Sequence, residues 1–419
     1  MAGRSRPARR RPWAAAVAVA AGGCLVAGCS SAQAPAPAPA PSAATAPLAT
    51  SLTQAGGRAW AIVAVGGSAA DDNSFWEVFT RPLGSSQWAL VTPPGVADNG
   101  GLVAAVPPAA QGLDIAVRPS QNLTFSPLAF TGNGGKTWAT GLVDASVAAV
   151  PDALALGGGR MLVLLGDGAI DQAATWVAVT PGEGVSGSAQ PSASAAWTRL
   201  AAPVAIAGSA AGRDCHVTAL TAVSLTAAGT PLVGASCARP GVAGIFTPAG
   251  TGWQAAGPAL SGTLASQPVK VLRLTAGDGA GIMALLQSGT GDSASLLAAW
   301  TADGTHWTVS PPLPLNGAQV LSSGAGPGAT AAWVLLSGGR AATIARPSAP
   351  TAPGAPSAAW RPLPAPPQGT AVLAPGPGGA LDALAVSGGR ALTVFRLTPA
   401  GAWQQTQVIS VPVQLGSSS

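Results

Sequence analysis

Tryptophan recurs in this chain at a spacing that leaves few folds open. Trp88, Trp138, Trp197, Trp253, Trp307, Trp360 and Trp403 follow one another at intervals of 50, 59, 56, 54, 53 and 43 residues. Each begins a short strand-like run, and several follow a Thr–Gly turn, as in "TGNGGKTW", "TPAGTGW", "TADGTHW" and "TPAGAW". Prolines close many of the runs: "WALVTPP", "WTRLAAP", "WTVSPPLP", "WRPLPAPP". Upstream of each tryptophan lie two apolar runs broken by glycines, and "SGGRAATIAR" aligns with "SGGRALTVFR". Self-similarity at a fixed period belongs to the whole fold and outranks any single motif.

Each unit holds about four β-runs of roughly four to eight residues, separated by Gly, Pro and Ser turns. Beyond the N-terminal segment no stretch sustains a 3.6-residue apolar period with helix caps. Units of roughly 50 residues with four strands mark propeller blades, which bury both faces only against neighbours in a closed ring. Charged residues make up 8% of the chain, as strands buried on both faces require. The expected fold is all-β: a seven-bladed β-propeller of four-stranded antiparallel blades over residues 51–419. Six or eight blades are alternatives, and a β-sandwich is the competing architecture. The terminal "VISVPVQLG" is expected to cross to the first blade and latch the ring.

The N-terminus carries a different signal. Arg4, Arg6, Arg9, Arg10 and Arg11 precede an apolar run that starts at Trp13 and closes with Val26-Ala27-Gly28-Cys29. The run is shorter than the roughly 20 apolar residues a membrane-spanning helix needs, and suits an export signal. Its end resembles the lipobox of bacterial lipoproteins, a branched residue and two small ones before an obligatory cysteine. That resemblance implies a signal peptide over residues 1–28, diacylglycerol attachment at Cys29, and anchoring at the cell membrane on its extracytoplasmic side. Several acyl chains on one residue meet the need for more than one hydrophobic anchor. An ordinary secretory peptide is the alternative, Cys24 is a weaker lipidation candidate, and Arg9-Arg10 leaves twin-arginine export open. From Cys29 to residue 50 the chain is Pro/Ala-rich and uncharged, an extended spacer of about 3.1 Å per residue where polyproline-like.

Removal of the signal takes five of the 20 basic residues with it, leaving 15 against 15 acidic ones. The mature chain is formally neutral, and nucleic acid is excluded as a partner because the basic footprint is gone. Of four cysteines, Cys215 and Cys237 alone lie beyond the signal and Cys29. Outside the cytoplasm a disulfide is the default, and an antiparallel hairpin centred near Thr226 brings the two opposite each other. A metal site with His216 is a thin alternative, and no metal or cofactor is expected.

The string "TGNGGKTW" resembles a phosphate loop, but that pattern needs glycine where Phe130 stands. It is similar instead to the Asp-box of sialidase-like (BNR-repeat) propellers, S-x-D-x-G-x-T-W. Thr131 stands for Ser and Asn133 for Asp, followed by Gly135, Thr137 and Trp138. "TADGTHW" keeps Asp303, Gly304 and Trp307 with one residue fewer. The resemblance implies a structural loop between the third and fourth strands of a blade. It also raises the enzyme hypothesis, but the sialidase nucleophile is a tyrosine and the chain has none. Other glycosidases use two carboxylates; Glu77, Glu183, Asp71, Asp72, Asp167 and Asp278 read as exposed-strand or turn residues. Arg340 and Arg390, at equivalent repeat positions, read as structural. The expected function is a non-enzymatic binding or scaffold module for an envelope protein or glycan, acting as a monomer and held to the membrane by its lipid. The alternative is a divergent glycoside hydrolase or lyase using loop carboxylates. Low-complexity inserts precede Trp197 and Trp360 at the Asp-box place in their units.

Overall fold

The computed structural model describes residues 48–411, apart from 56, 66–74, 95–100, 106–111, 119–124, 149, 158–159, 167–175, 180–197, 202, 278–280, 348–357 and 388–390. The signal segment, Cys29, the tether up to residue 47, Asp71, Asp72, Asp167, Glu183, Trp197, Asp278 and Arg390 lie outside the described residues. The first strand begins at Leu48, three residues before the expected boundary.

Hairpins arise where the turn chemistry demands them. Ala331–Leu336 and Arg340–Ala345 are joined through Gly338 and Gly339, at φ 78° and 73°, a conformation side-chain-bearing residues resist. Between Val217–Leu225 and Pro231–Cys237 the Thr226 N–H donates to the Thr230 carbonyl at 3.0 Å, closing the "TAAG" turn.

Four sequential antiparallel strands form each unit. The first meander comprises Leu48–Ala55, Arg58–Val65, Phe75–Pro82 and Ala89–Leu90; the second, Gly101–Ala105, Leu113–Arg118, Ser126–Thr131 and Ala139–Val143. The third comprises Leu154–Gly157, Arg160–Gly166, Trp176–Val179 and Thr198–Ala201, with Ser146–Val147 added beside Arg160–Gly166. The fourth holds Val217–Leu225, Pro231–Cys237, Gly244–Ala249 and Gly252–Ala255. The fifth holds Val269–Ala276, Ile282–Ser288, Ser295–Thr301 and Trp307–Val309. These two share one nine-stranded sheet, joined where Ser236 and Cys237 pair with Lys270 and Val269. The sixth is Val320–Ala325, Ala331–Leu336, Arg340–Ala345 and Arg361–Pro362; the last is Thr370–Pro375, Leu381–Ser387, Ala391–Leu397 and Trp403–Ser410.

Burial shows how the meanders associate. Second and third strands are buried on both faces, as in Ala59–Val63, Met161–Leu165 and Leu296–Thr301, so each sheet needs a neighbour on either side. Apolar clusters fill the spaces between successive meanders. Trp60 and Ile62 pack with Leu113 and Ile115, Ile245 with Val271 and Leu297, Met283 with Val334, and Trp333 with Leu373 and Ala383. A further cluster joins the chain's two ends, Leu52, Ala61 and Phe79 against Val372, Leu384 and Ile409. From the second meander to the last, each first strand touches the first strand of the next, and Leu48–Ala55 lies against Thr370–Pro375. The ring is closed, with first strands innermost: an all-β propeller of four-stranded blades.

The recurring tryptophans stitch blade to blade. Trp138 Nε1 donates to the Val91 carbonyl at 2.9 Å, Trp307 to Ala256 at 2.8 Å and Trp403 to Pro364 at 3.1 Å. Each donor starts a fourth strand or immediately precedes it, and each acceptor lies just past the fourth strand of the preceding meander. Trp88 links the first meander to the last by donating to Gln407 Oε1 at 3.0 Å, whereas the buried Trp360 Nε1 has no hydrogen-bond partner. The indole thus supplies both apolar area and one fixed polar handle.

Three features depart from expectation. Two short helices, Pro203–Gly208 and Ala210–Cys215, follow the third meander; Ser209 caps the second by accepting from the Gly212 N–H at 3.0 Å. They pack on Gly252–Ala255, the strand carrying Trp253. The expected latch does not form over its described part, because Val408-Ile409-Ser410 stay in the last meander's own outer strand; residues 412–419 lie outside the description. Finally, a β-bulge recurs in the inner strands at Thr50, Thr221, Leu272, Leu321 and Ala371, each an extra residue between paired neighbours. Bulges bend and twist a strand, and five at one place curve successive inner strands alike.

Candidate functional site

The carboxylates best placed for chemistry lie where blades meet. Asp382, second residue of Leu381–Ser387, is fully buried. Arg396 stands directly opposite it in register and grips it with two bonds, Nε to Oδ1 at 2.8 Å and Nη2 to Oδ2 at 2.9 Å. From the first meander Gln54 Nε2 donates to Oδ2 at 2.8 Å. A Cβ at Gly376 would lie 2.7 Å from Oδ1, so that neighbour is held to glycine. Its hydrogen bond to Asp382 raises the Arg396 pKa. Arg81, also buried, donates to the Pro82 and Ser85 carbonyls at 3.3 and 3.1 Å and lies 5.1 Å over the Trp88 ring. Burial lowers its pKa, against the opposing pull of Asp382. This seam between the first and last blades does by side chains what strand exchange was expected to do.

A second carboxylate works across the inner strands. Asp152 binds Arg273 Nη1 through Oδ1, and its Oδ2 accepts the Leu274 N–H at 2.8 Å. The Asp152 carbonyl accepts from Val223 at 2.8 Å, and Arg273 Nε reaches Ser323 Oγ at 3.2 Å. One aspartate and one arginine therefore tie together four successive meanders.

Asp114 occupies the same place in its strand as Asp382 but has a different neighbour. Its register partner is Phe130, where Asp382 has Arg396. Asp114 is buried, its Oδ2 has no hydrogen-bond partner, and burial pushes its pKa up to about 7. The cause is desolvation of the charged form.

The turn loops are built from their own side chains. Thr131 Oγ1 accepts the Gly135 N–H at 3.0 Å, Asn133 Oδ1 accepts the Thr137 N–H at 3.0 Å, and Asn133 Nδ2 donates to Thr137 Oγ1 at 2.7 Å. Gly134 rests on the Arg58 guanidinium and Gly135 on Val91, with φ 75° and 81°. In the second loop Asp303 Oδ1 accepts the Thr305 and His306 N–H groups, both at 2.8 Å, and Gly304 has φ 78°. The His306 backbone bond, then its side chain, hold the Asp303 pKa well below the ordinary carboxylate range, and Asp303 raises that of His306. Both loops join a third strand to a fourth, and both are anchored by an indole to the preceding blade. Lys136 is exposed.

Other expected residues are scattered. Glu77 is half-buried and accepts from the Thr92 hydroxyl. His216 ends a helix at φ 53°, and Arg340 Nη2 donates to the Leu315 carbonyl at 2.7 Å. Among the described residues, no group of three or more His, Cys, Asp or Glu side chains gathers in a way that could hold a metal ion. Cys215 and Cys237 form a disulfide with Cα atoms 4.9 Å apart. Cys237 pairs in register with Val217, so the bond links the helix end at Cys215 to the sheet. Replacing both cysteines by alanine is expected to cost about 2–4 kcal/mol, read as a lower urea midpoint that reductant reproduces in the parent chain.

The structural role of Asp382, Asp152 and Asp114 escaped the sequence reading. A hint was present in "ALDALAV" and "GLDIAV", each a lone acid inside an apolar strand, which implies a partner or a perturbed charge.

No family model and no curated protein matches the chain. Solved structures do resemble it. The β-propeller domain of Cps50 (Swd1) from Myceliophteria thermophila aligns with a TM-score of 0.50 at 13% identity, over 84% of this chain and 96% of that one. The β-propeller domain of the Trilobed protease from Pyrococcus furiosus gives 0.48 at 10% identity, over 87% and 96%. A prolyl endopeptidase structure gives 0.46 at 12% identity over 87% of this chain, which spans 50% of that longer protein. At 13% identity the likeness to Cps50 is one of fold. With the closed ring of meanders it places this chain among the β-propellers with four-stranded blades.

Proposed function

We propose that the chain is a lipid-anchored, seven-bladed propeller with Asp-box turns, displayed on the extracytoplasmic face of the cell membrane. It serves there as a non-enzymatic binding or scaffold module for an envelope protein or glycan. Each of the seven meanders counts as one blade in this reading, the fourth and fifth being blades whose sheets touch. The observation that carries the binding role is the use made of the best-placed carboxylates: Asp152 and Asp382 are both engaged in bonds between blades. A hydrolase needs such groups free to face substrate. The buried disulfide supports an oxidising compartment, and the lipobox-like sequence supports the anchor.

The full chain is to be expressed with its own signal and the cells fractionated. The parent protein is expected in the membrane fraction and Cys29→Ala in the medium; retention of the variant at the membrane contradicts the anchor. The detergent-extracted protein is then incubated with purified cell-wall glycan and with envelope extract. Saturable binding without release of soluble fragments is expected. Glycan cleavage that disappears in a folded Asp or Glu variant overturns the non-enzymatic reading.

A further inference from the structure

Two buried polar atoms without partners lie in the seam between the first and last blades. The Arg81 Nε and the Gln54 Oε1 are both shielded from solvent, and neither has a hydrogen-bond partner. Both side chains face the last blade. Phe79 and Leu52, each two residues earlier on the same strand, share one apolar cluster with Leu384 and Val394 of that blade. Buried donors and acceptors are rarely left unsatisfied in a folded protein, and an ion or an ordered water is the usual remedy.

The charges in this seam do not balance either. Among the described residues Arg81 and Arg396 bring two positive charges and Asp382 one negative, and Asp382 is engaged by Arg396 and Gln54. In register Arg396 stands opposite Asp382, whereas Arg81 stands opposite the buried methyl of Ala59. Arg81 is only 3% exposed. Its Nη1 serves the Pro82 and Ser85 carbonyls, so the Nε–Nη2 edge is the one that faces no acceptor. Arg396 uses that same edge to hold both oxygens of Asp382, because a guanidinium fork matches a planar oxyanion. Burial lowers the Arg81 pKa, Asp382 opposes this and Arg396 adds to it, as befits a cation short of one anion.

We propose that the seam binds a monovalent oxyanion that retains one O–H, of the hydrogencarbonate type, on the Nε–Nη2 edge of Arg81 with its hydroxyl donating to Gln54 Oε1. Three needs select this chemistry. One negative charge neutralises the seam, a pair of acceptor oxygens satisfies the Arg81 edge, and one donor satisfies Gln54. Water lacks the charge, chloride and formate lack the donor, and a divalent oxyanion overshoots the charge. Gln54 cannot meet its own need by turning its amide over, because Nε2 already donates to Asp382 Oδ2. Bound there, the anion joins the chain's first strand to its last blade, so occupancy and ring closure are linked. The site is independent of the lipid anchor and of the envelope ligand proposed above.

The test uses the full chain in detergent at one pH and one ionic strength, set with a bulky sulfonate salt. Urea midpoints are followed by tryptophan fluorescence against sodium hydrogencarbonate, sodium chloride or sodium formate. Hydrogencarbonate is expected to raise the midpoint to a plateau, with chloride and formate needing roughly tenfold more for the same shift. Isotope-labelled hydrogencarbonate is expected to travel with the folded chain in gel filtration, and Arg81→Met loses both effects. Gln54→Leu, which removes the acceptor for the hydroxyl, no longer distinguishes hydrogencarbonate from formate. Should Arg81→Met fail to fold, Gln54→Leu decides the matter: a preference for hydrogencarbonate that survives in it overturns the proposal. Equal shifts from all three salts, which is salt action without a site, also overturn it. So does the lack of both shift and label, which makes water the partner of Nε, or undiminished label in folded Arg81→Met.

Discussion

Asp382→Asn is expected to lower the unfolding free energy by about 2–3 kcal/mol, because it removes the buried member of the ion pair and its charge-assisted hydrogen bonds while the half-buried Arg396 keeps some solvent. The carboxylate is fully buried and receives both forks of Arg396 and the Gln54 amide across the seam. Asparagine keeps the shape but offers one oxygen and places an N–H₂ against donors. Arg396 and nearby Arg81 then hold two positive charges with no carboxylate between them. Urea unfolding monitored by tryptophan fluorescence checks the result as a lower midpoint. A companion variant, Asp382→Leu with Arg396→Met, is expected to recover much of the loss, since an apolar pair of similar volume needs no solvation. A loss below about 1 kcal/mol in the single variant, the range of exposed pairs, shows that the ring does not rely on this seam.

Asp114 supplies the opposite experiment, a buried acid facing Phe130 in register where Asp382 has its arginine. Its carboxyl titrates at about 7 in the folded chain, raised by burial, and near 3.9 in an unfolded one. The native state therefore binds the proton more tightly, so stability is fully present below about pH 4 and falls as pH rises toward 7, levelling above it. The gap corresponds to about 4 kcal/mol between the two ends. Asp114→Asn removes the titration while keeping the volume. The stability of the parent relative to this variant is expected to drop across pH 4–8 by that order. A flat difference shows that Asp114 has a counterion or water that neutralises the penalty.

These two residues show where sequence reading stops. Strands, turns and the repeat were legible because they rest on neighbours in the chain: alternating apolar runs, paired glycines such as Gly338 and Gly339, and an indole every fifty residues or so. The disulfide was legible because Cys215 and Cys237 flank one hairpin. The helices at 203–215 were not, since six residues make fewer than two turns and cannot display a 3.6-residue period. Nor could any local pattern tell Asp382 from Asp114, which sit in near-identical strings.

Sequence alone determined that this chain builds four-stranded units whose strands, apolar on both faces, need a neighbour on either side, and its repeat favoured a ring over a sandwich. Tertiary structure decided what closes that ring and which charges it consumes. Gln54 and Asp382 are 328 residues apart, and a hydrogen bond over that distance exists only once every intervening blade has packed and brought the two ends together.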